Sequence, residues 1–441
     1  MNKANPNNSL MIVSYLFPPT GGAGVQRNLK YSKFLTQFGW SVSVLSVKSI
    51  LYHAYDEKLC LQIPENVRVI RTESLDPLRL AFLFFKGIRK FKRIENNSKK
   101  ALKPVKIDKK ILNRYRNFRD FFVFPDIQLL WIPFSVFSGV LYVKKYNVKF
   151  VMGSIGPVSN ALSAFLISIF CNISLIIDFR DGWVDDPYVM KPASIYNKLH
   201  ENLERIVISH SKKICVYGVT LKDQLLLRYP DIEDKVHVLP NGFDKDDLEN
   251  VPHIAKGEFK KQLLYSGTIH KDIHYNNLHS FLEAMSLLPS NLLTTFEVFF
   301  VGNVFDDAIE IVNKFKLQDN IIFLGYRSHE EALSFLKSAD ALLLFLKKDD
   351  FSSVSGKIFE YLMVNLPILA CVESQGPCGQ LLQEVHRDDF LAKPEDTQDI
   401  FNKLYNLLTS DWIKYDDALI NVYDRKIISQ KLIEVLNEIM V

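Results

Sequence analysis

Short apolar runs recur along this chain, and helical stretches separate them. MIVSYLF, SVSVLSV, KFVMGS, SLIIDF, KKICVYG and VHVLP are rich in β-branched and aromatic residues and show little polar alternation, which is the pattern of strands buried on both faces. Between them, residues 25–38 and 195–212 place apolar side chains at helical spacing. Strand followed by helix, repeated, predicts a parallel sheet wrapped by helices. The rhythm restarts after Asn241-Gly242 with QLLYSG, FEVFFVG, IIFLG, ALLLFL and PILACV, and with helices near 278–288, 306–315 and 329–338. The expected class is therefore α/β, with two Rossmann-like domains facing across a cleft. The first spans 1–245, the second 246–415, and 416–441 holds a last helix, near 426–439, that packs back on the first domain. A charged stretch, 244–258, following a turn dipeptide, is the expected hinge.

Composition sharpens this picture in four places. With 441 residues, 48% hydrophobic and 24% charged, the chain has more apolar material than one domain of ordinary size uses. Its five cysteines, Cys60, Cys171, Cys215, Cys371 and Cys378, are scattered and form no C-x-x-C pair, so neither a disulfide framework nor a zinc site is expected, and a reducing, cytoplasmic setting fits. The apolar run at 10–17 has one lysine before it and Pro18-Pro19 where a cleavage site would need small residues, so it reads as a first strand rather than a signal peptide. The longest apolar stretch, 161–177, is interrupted by serines and Asn172 and runs into Asp178, short of the roughly 20 residues a bilayer requires. It reads as a helix followed by a buried strand.

Charge is concentrated. Between Arg79 and Arg119 stand 15 Lys or Arg against Glu95 and Asp108, a net +13 in a chain whose total is +4. Basic residues interleaved with Leu and Phe, as in LAFLFFKGIRKFKRI, suit an anionic lipid surface, which makes the protein peripheral at the inner face of the membrane. A solvated insertion loop with no partner also accounts for the segment. Nucleic acid is not expected as a partner, because no recognition motif accompanies the charge.

Four segments carry chemistry. In FPPTGGAGVQR a strand gives way to a loop with Gly21, Gly22 and Gly24 ahead of a helix, where unpaired N–H groups and the helix dipole favour a diphosphate; a plain structural connector would look the same. In IIDFRDGW, Asp178, Arg180 and Asp181 follow directly on a strand, where ligands of open α/β sheets bind. Arg180 can grip an anionic group and Asp181 can orient a sugar hydroxyl, or the two can form a pair that closes the loop. In SGKIFEYLMVNLP, Lys357 and Glu360 lie one helical turn apart with apolar neighbours, so that Lys357 can neutralise phosphate and Glu360 can hold a ribose diol; a surface ion pair is the alternative.

The fourth group consists of turns and caps. YSGTIHK ends a strand at Gly267 and offers His270 and Lys271, while SQGPCGQLL offers backbone N–H groups near Gly379. Ser328 and Glu331 have capping-box spacing, and Asp244-Lys245-Asp246 reads as a turn rather than a metal site, so no metal is expected.

Taken in order, FPPTGGAGVQR, DFRDGW, VLPNGFD and GKIFEYL resemble the retaining glycosyltransferases of the family-four type, over about residues 10 to 410, and are similar in particular to bacterial members that build lipopolysaccharide, capsule or exopolysaccharide. The resemblance implies the GT-B fold, with the acceptor, a glycan or lipid-linked sugar, against the first domain and a nucleotide-diphosphate sugar against the second. It implies that Glu360 holds the ribose, that Lys357 and the loop from Gly267 to Lys271 hold the diphosphate, and that Gly21 and Gly22 close over it. The sugar donor is a co-substrate, and no cofactor is implied. Family members with a full acidic pair carry a glutamate eight positions before the second; here that position is Ser352. The implied reaction is departure of a nucleoside diphosphate with retention, Lys357, Arg180 and Asp181 serving at the reacting end. A nucleotide-sugar epimerase, a phosphorylase or a non-catalytic membrane-associated scaffold are the competing classes.

Overall fold

A computed structural model describes residues 8–52, 55–84, 124–184, 194–249, 251–254, 260–351, 354–410 and 415–440. Most of the basic segment expected to meet a membrane, from 85 to 119, lies outside them, as does Ser352. The chain divides into two compact units, one comprising Met1–Pro240 and Ser429–Val441, the other Asn241–Ile428. The division thus falls shortly before the start of the expected hinge, and 416–428 group with the second unit.

The first unit is built on seven parallel strands: β1 (Ser9–Val13), β2 (Ser41–Val47), β3 (Arg68–Thr72), β4 (Phe150–Ile155), β5 (Ser174–Phe179), β6 (Lys213–Val216) and β7 (Val236–Val238), in the order β3-β2-β1-β4-β5-β6-β7. All five residues of β1 are buried, and its two neighbours are β2 and β4. Strands sandwiched between helical layers need apolar side chains on both faces, which is why β1, β4 and β5 read as near-continuous hydrophobic runs. Helices Ala23–Gln37, Ile132–Tyr146, Val158–Cys171 and Ser194–His210 cover the sheet. The apolar stretch at 161–177 divides, as the polar interruptions predict, into the end of helix Val158–Cys171 and the start of β5. Among the described residues no helix is long and apolar enough to cross a membrane.

The second unit repeats the plan with six parallel strands: β8 (Lys261–Ser266), β9 (Phe296–Val301), β10 (Ile321–Gly325), β11 (Ala341–Phe345), β12 (Ile368–Cys371) and β13 (Leu391–Ala392), ordered β10-β9-β8-β11-β12-β13. Its core has two layers. Leu263, Tyr265, Leu343 and Phe345 point to one, with Phe281 and Phe300; Leu264, Leu342 and Leu344 point to the other, with Ile358, Phe359 and Leu362 from helix Gly356–Met363. In both sheets the order reverses beside the first strand of the unit, between β1 and β4 and between β8 and β11, and the carboxyl ends flanking such a reversal are where open α/β sheets bind ligands.

Candidate functional site

In the second unit the reversal point is pinned by Tyr361. Its hydroxyl accepts from the Ser266 N–H at 2.8 Å and donates to the Leu343 carbonyl at 3.1 Å, tying the end of β8 to β11. The chain then leaves β8 through Gly267, whose N–H donates to the Val301 carbonyl at 2.7 Å and whose φ is +129°. A Cβ there would lie 2.2 Å from Lys357 Cε, so glycine is required by the conformation and by the lysine that fills the space.

Lys357 enters from helix Gly356–Met363. Its Nζ donates to the Tyr265 hydroxyl oxygen at 2.6 Å and stands 4.4 Å from the centroid of the same ring. Burial lowers its pKa to about 8, Glu360 one turn further on pulling the other way. Glu360 is partly exposed, and its Oε1 is 3.8 Å from His329 Nδ1. On the opposite side, helix Lys271–Ser286 begins at His270, whose backbone N–H donates to His274 Nδ1 at 3.1 Å. Burial first, then the charges of Lys357 and His270, lower the His274 pKa to about 4, so that this imidazole is neutral at physiological pH.

Three helices that start after β8, β11 and β12, namely Lys271–Ser286, Gly356–Met363 and Pro377–Glu384, have no side-chain cap at their N-termini. A helix start without a side-chain cap carries a partial positive charge that favours an anion. A half-buried cation, a partly exposed carboxylate and uncapped helix ends are chemically suited to a phosphate group next to a diol. Lys357, Gly267 and Glu360 are therefore brought together, as expected.

The other second-unit residues sit differently. Lys271 pairs with Asp307, both side chains about half exposed at 54% and 48%, and its ammonium lies 5.9 Å from the Tyr275 ring. Gly379 is in the first turn of helix Pro377–Glu384, where a Cβ would come 2.3 Å from the Glu373 carbonyl oxygen; its role here is a close approach of helix to turn. Ser328 and Glu331 form the capping box that their spacing predicts, and Asp244 accepts from the Asp246 N–H as a turn residue does.

In the first unit, Gly21 is buried and Gly22 exposed, and Gly22 has φ +91° as the residue before helix Ala23–Gln37, again a helix with no side-chain cap. Arg180 and Asp181 follow β5. The guanidinium donates to the carbonyl oxygens of Gly24 and of Gly156, the latter at 2.9 Å, and to Asp181 Oδ2 at 2.6 Å. Arg180 is 12% exposed and Asp181 50%. Gly156, with φ +99°, leaves the space that this arrangement fills, since a Cβ would meet Arg180 Nη2 at 2.3 Å. Of the two roles open to the Arg180–Asp181 pair, the geometry displays closure: the guanidinium joins the first turn of helix Ala23–Gln37 to the loops after β4 and β5, and Asp181 is half exposed.

Asp178 is fully buried against Arg27, with Nη2 to Oδ1 at 2.6 Å and Nε to Oδ2 at 3.0 Å, and Ser154 Oγ donates to it at 3.2 Å. Arg27 also caps the Leu239 and Pro240 carbonyls at 2.9 Å. This pair braces the first unit from within. Sequence reasoning did not find Arg27, Tyr265, Tyr361 or His274. Arg27 and Tyr361 fall inside the segments FPPTGGAGVQR and GKIFEYL, but nothing there assigns either a partner, and Tyr265 and His274 read as core or polar filler.

Two Rossmann-like halves, each a parallel sheet between helical layers, define the GT-B fold. Comparison with known proteins agrees at the level of class. Residues 248–424 match the sequence model of the family described as Glycosyl transferases group 1. No curated protein matches the chain. Among solved structures, the chain is similar to a glycosyltransferase from Rickettsia africae ESF-5 at 16% identity and a TM-score of 0.61, with 98% of each chain covered. It is similar to WaaG, a glycosyltransferase involved in lipopolysaccharide biosynthesis, at 13% identity and a TM-score of 0.53, covering 96% of this chain and 95% of that one. The UDP-GlcNAc 2-epimerase from Methanocaldococcus jannaschii shares the fold at 12% identity and a TM-score of 0.54, over 98% and 99% of the two chains. The family match on the second unit supports a glycosyltransferase, and these neighbours show the fold.

Proposed function

We propose that this protein is a retaining glycosyltransferase that moves a sugar from a nucleotide-diphosphate donor to a glycan or lipid-linked acceptor in bacterial surface polysaccharide synthesis. The observation that carries the reading is the seat of Lys357 against Gly267 and Tyr265 beside Glu360, at the carboxyl end of β8 in the unit that matches the glycosyltransferase family. In this reading Glu360 accepts the ribose hydroxyls. Lys357 and the backbone N–H groups after Gly267 and near Gly379 neutralise the diphosphate, and Lys271 reaches it by releasing Asp307.

The reaction breaks the bond between the anomeric carbon and the β-phosphate oxygen. The acceptor hydroxyl forms its bond on the same face, and its proton passes to the departing phosphate oxygen, so that no separate base is called on. Preorganised donors that strengthen as charge gathers on the leaving group supply the stabilisation. Asp181, half exposed, is assigned to an acceptor hydroxyl, and Arg180 holds it in place. Peripheral attachment at the inner membrane face rests on the basic charge between Arg79 and Arg119.

The test is turnover with a panel of nucleotide sugars and lipid-linked acceptors, with the anomeric configuration of the product read by NMR. Retention, with activity lost in Lys357→Ala and Glu360→Ala, is the expected result; full activity in either variant removes the basis of the reading. The shared fold with an epimerase favours one second reading, epimerisation of the free donor. Change of configuration in the donor without any acceptor would establish it instead.

A further inference from the structure

We propose that Tyr265 is a positioning residue for phosphate recognition: its hydroxyl holds the Lys357 amine over its own ring, and at the same time fastens the loop that leaves β8. This inference rests on the functional reading above, in which Lys357 meets the donor's diphosphate.

Tyr265 is fully buried at the end of β8 and wedged among Phe300, Phe345 and His274, with ring centroids 5.7, 5.5 and 6.5 Å away. It has no freedom to follow a moving partner. Its oxygen accepts from Lys357 Nζ at 2.6 Å and donates to the Thr268 carbonyl at 3.4 Å, so one hydroxyl touches both the cation and the loop. The gap at Gly267 completes the seat, because any larger residue would occupy the space of the lysine side chain. A lysine has four rotatable bonds and one compact charge, and fixing it before the ligand arrives removes an ordering cost from binding.

The groups facing this amine are Glu360 on its own helix, Tyr265 from β8, and His274 from helix Lys271–Ser286, itself beside His270. Among the described residues Glu360 is the group that favours the ammonium by charge. The phenolic oxygen adds an acceptor for the ammonium, and removing it leaves the charged form less favoured. A dianionic diphosphate needs the protonated lysine, so affinity in the natural protein falls as pH rises through about 8.

The experiment is calorimetric titration of the full chain with uridine, guanosine and adenosine diphosphate across pH 6 to 9. If the natural protein binds none of them, the functional reading fails, and this inference with it. If it binds one, Tyr265→Phe, which removes only the oxygen, is expected to weaken it about tenfold at pH 7 and to move the alkaline fall in affinity down by about one pH unit. Unchanged affinity and an unchanged pH profile in Tyr265→Phe overturn the proposal while leaving the functional reading intact. Lys357→Arg tests it from the other side and serves alone if Tyr265→Phe does not fold. It keeps the charge but cannot keep the seat, and is expected to bind about tenfold more weakly. Natural affinity in Lys357→Arg would show that charge suffices without placement, which also overturns the proposal.

Discussion

Arg27 and Lys357 are both withdrawn from water, and the partners of each decide whether its charge is favoured. For Arg27, burial opposes the charge, but a fork-to-fork contact with Asp178 outweighs it and the guanidinium pKa rises. For Lys357, burial dominates, the charge of Glu360 compensates less, and the pKa falls to about 8. The first is a structural brace and the second a cation held ready. A lysine whose folded pKa lies below its unfolded value near 10.5 binds fewer protons folded than unfolded between those values, so its penalty is full below about pH 8 and fades as pH rises towards 10.5. Lys357→Met is therefore expected to raise the stability of the second unit by about 1–2 kcal/mol at pH 7, and to flatten the gain in stability between pH 8 and 10.5, while removing nucleoside diphosphate binding. Denaturant titration at a series of pH values checks the sign; lower stability in the variant at pH 7 would contradict it. Lys357 and Glu360 were legible in the sequence because charged residues one turn apart among Ile358, Leu362 and Met363 demand an explanation. Arg27 and Tyr265 were not. The partner of Arg27 lies 151 residues away, and nothing near Tyr265 separates it from a core aromatic.

At the scale of elements, the groups of the candidate site are delivered by strand ends and helix starts rather than by long loops. Tyr361 lies on the helix that carries Lys357 and Glu360, and it fixes Ser266 of β8 and Leu343 of β11 with one hydroxyl. Tyr361→Phe leaves the buried Ser266 N–H without its acceptor and is expected to cost about 1–3 kcal/mol, with donor binding weakened because Gly267 and Lys357 lose their shared frame. Thermal unfolding with and without a nucleoside diphosphate measures both; a melting temperature equal to that of the natural protein would rule the frame out. Eleven strands of the two sheets were readable as apolar runs. The two that were not are edge strands. β3, RVIRT, carries two arginines, of which Arg71 donates to Ser46 Oγ and the Val47 carbonyl, and β13 is only Leu391–Ala392, too short for any period to show.

At the scale of the molecule, a duplicated plan emerges from a rhythm that the chain states twice. Apolar runs buried on both faces and alternating with helices leave little choice but parallel sheets with right-handed crossovers, and each such sheet has a reversal point at its first strand. That much follows from pattern alone, which is why the class was visible in the sequence. The site's inner support was invisible for the opposite reason: Tyr265, Tyr361 and His274 act through contacts that only the folded sheet creates. The central claim is that the second reversal point binds a nucleoside diphosphate through Lys357 and Glu360. The most direct test is calorimetric titration of the natural chain, Lys357→Met and Glu360→Ala with uridine, guanosine and adenosine diphosphate at pH 7. The account predicts saturable binding of at least one by the natural chain and a loss of at least tenfold in each variant; no binding by the natural chain, or equal binding by all three proteins, would contradict it.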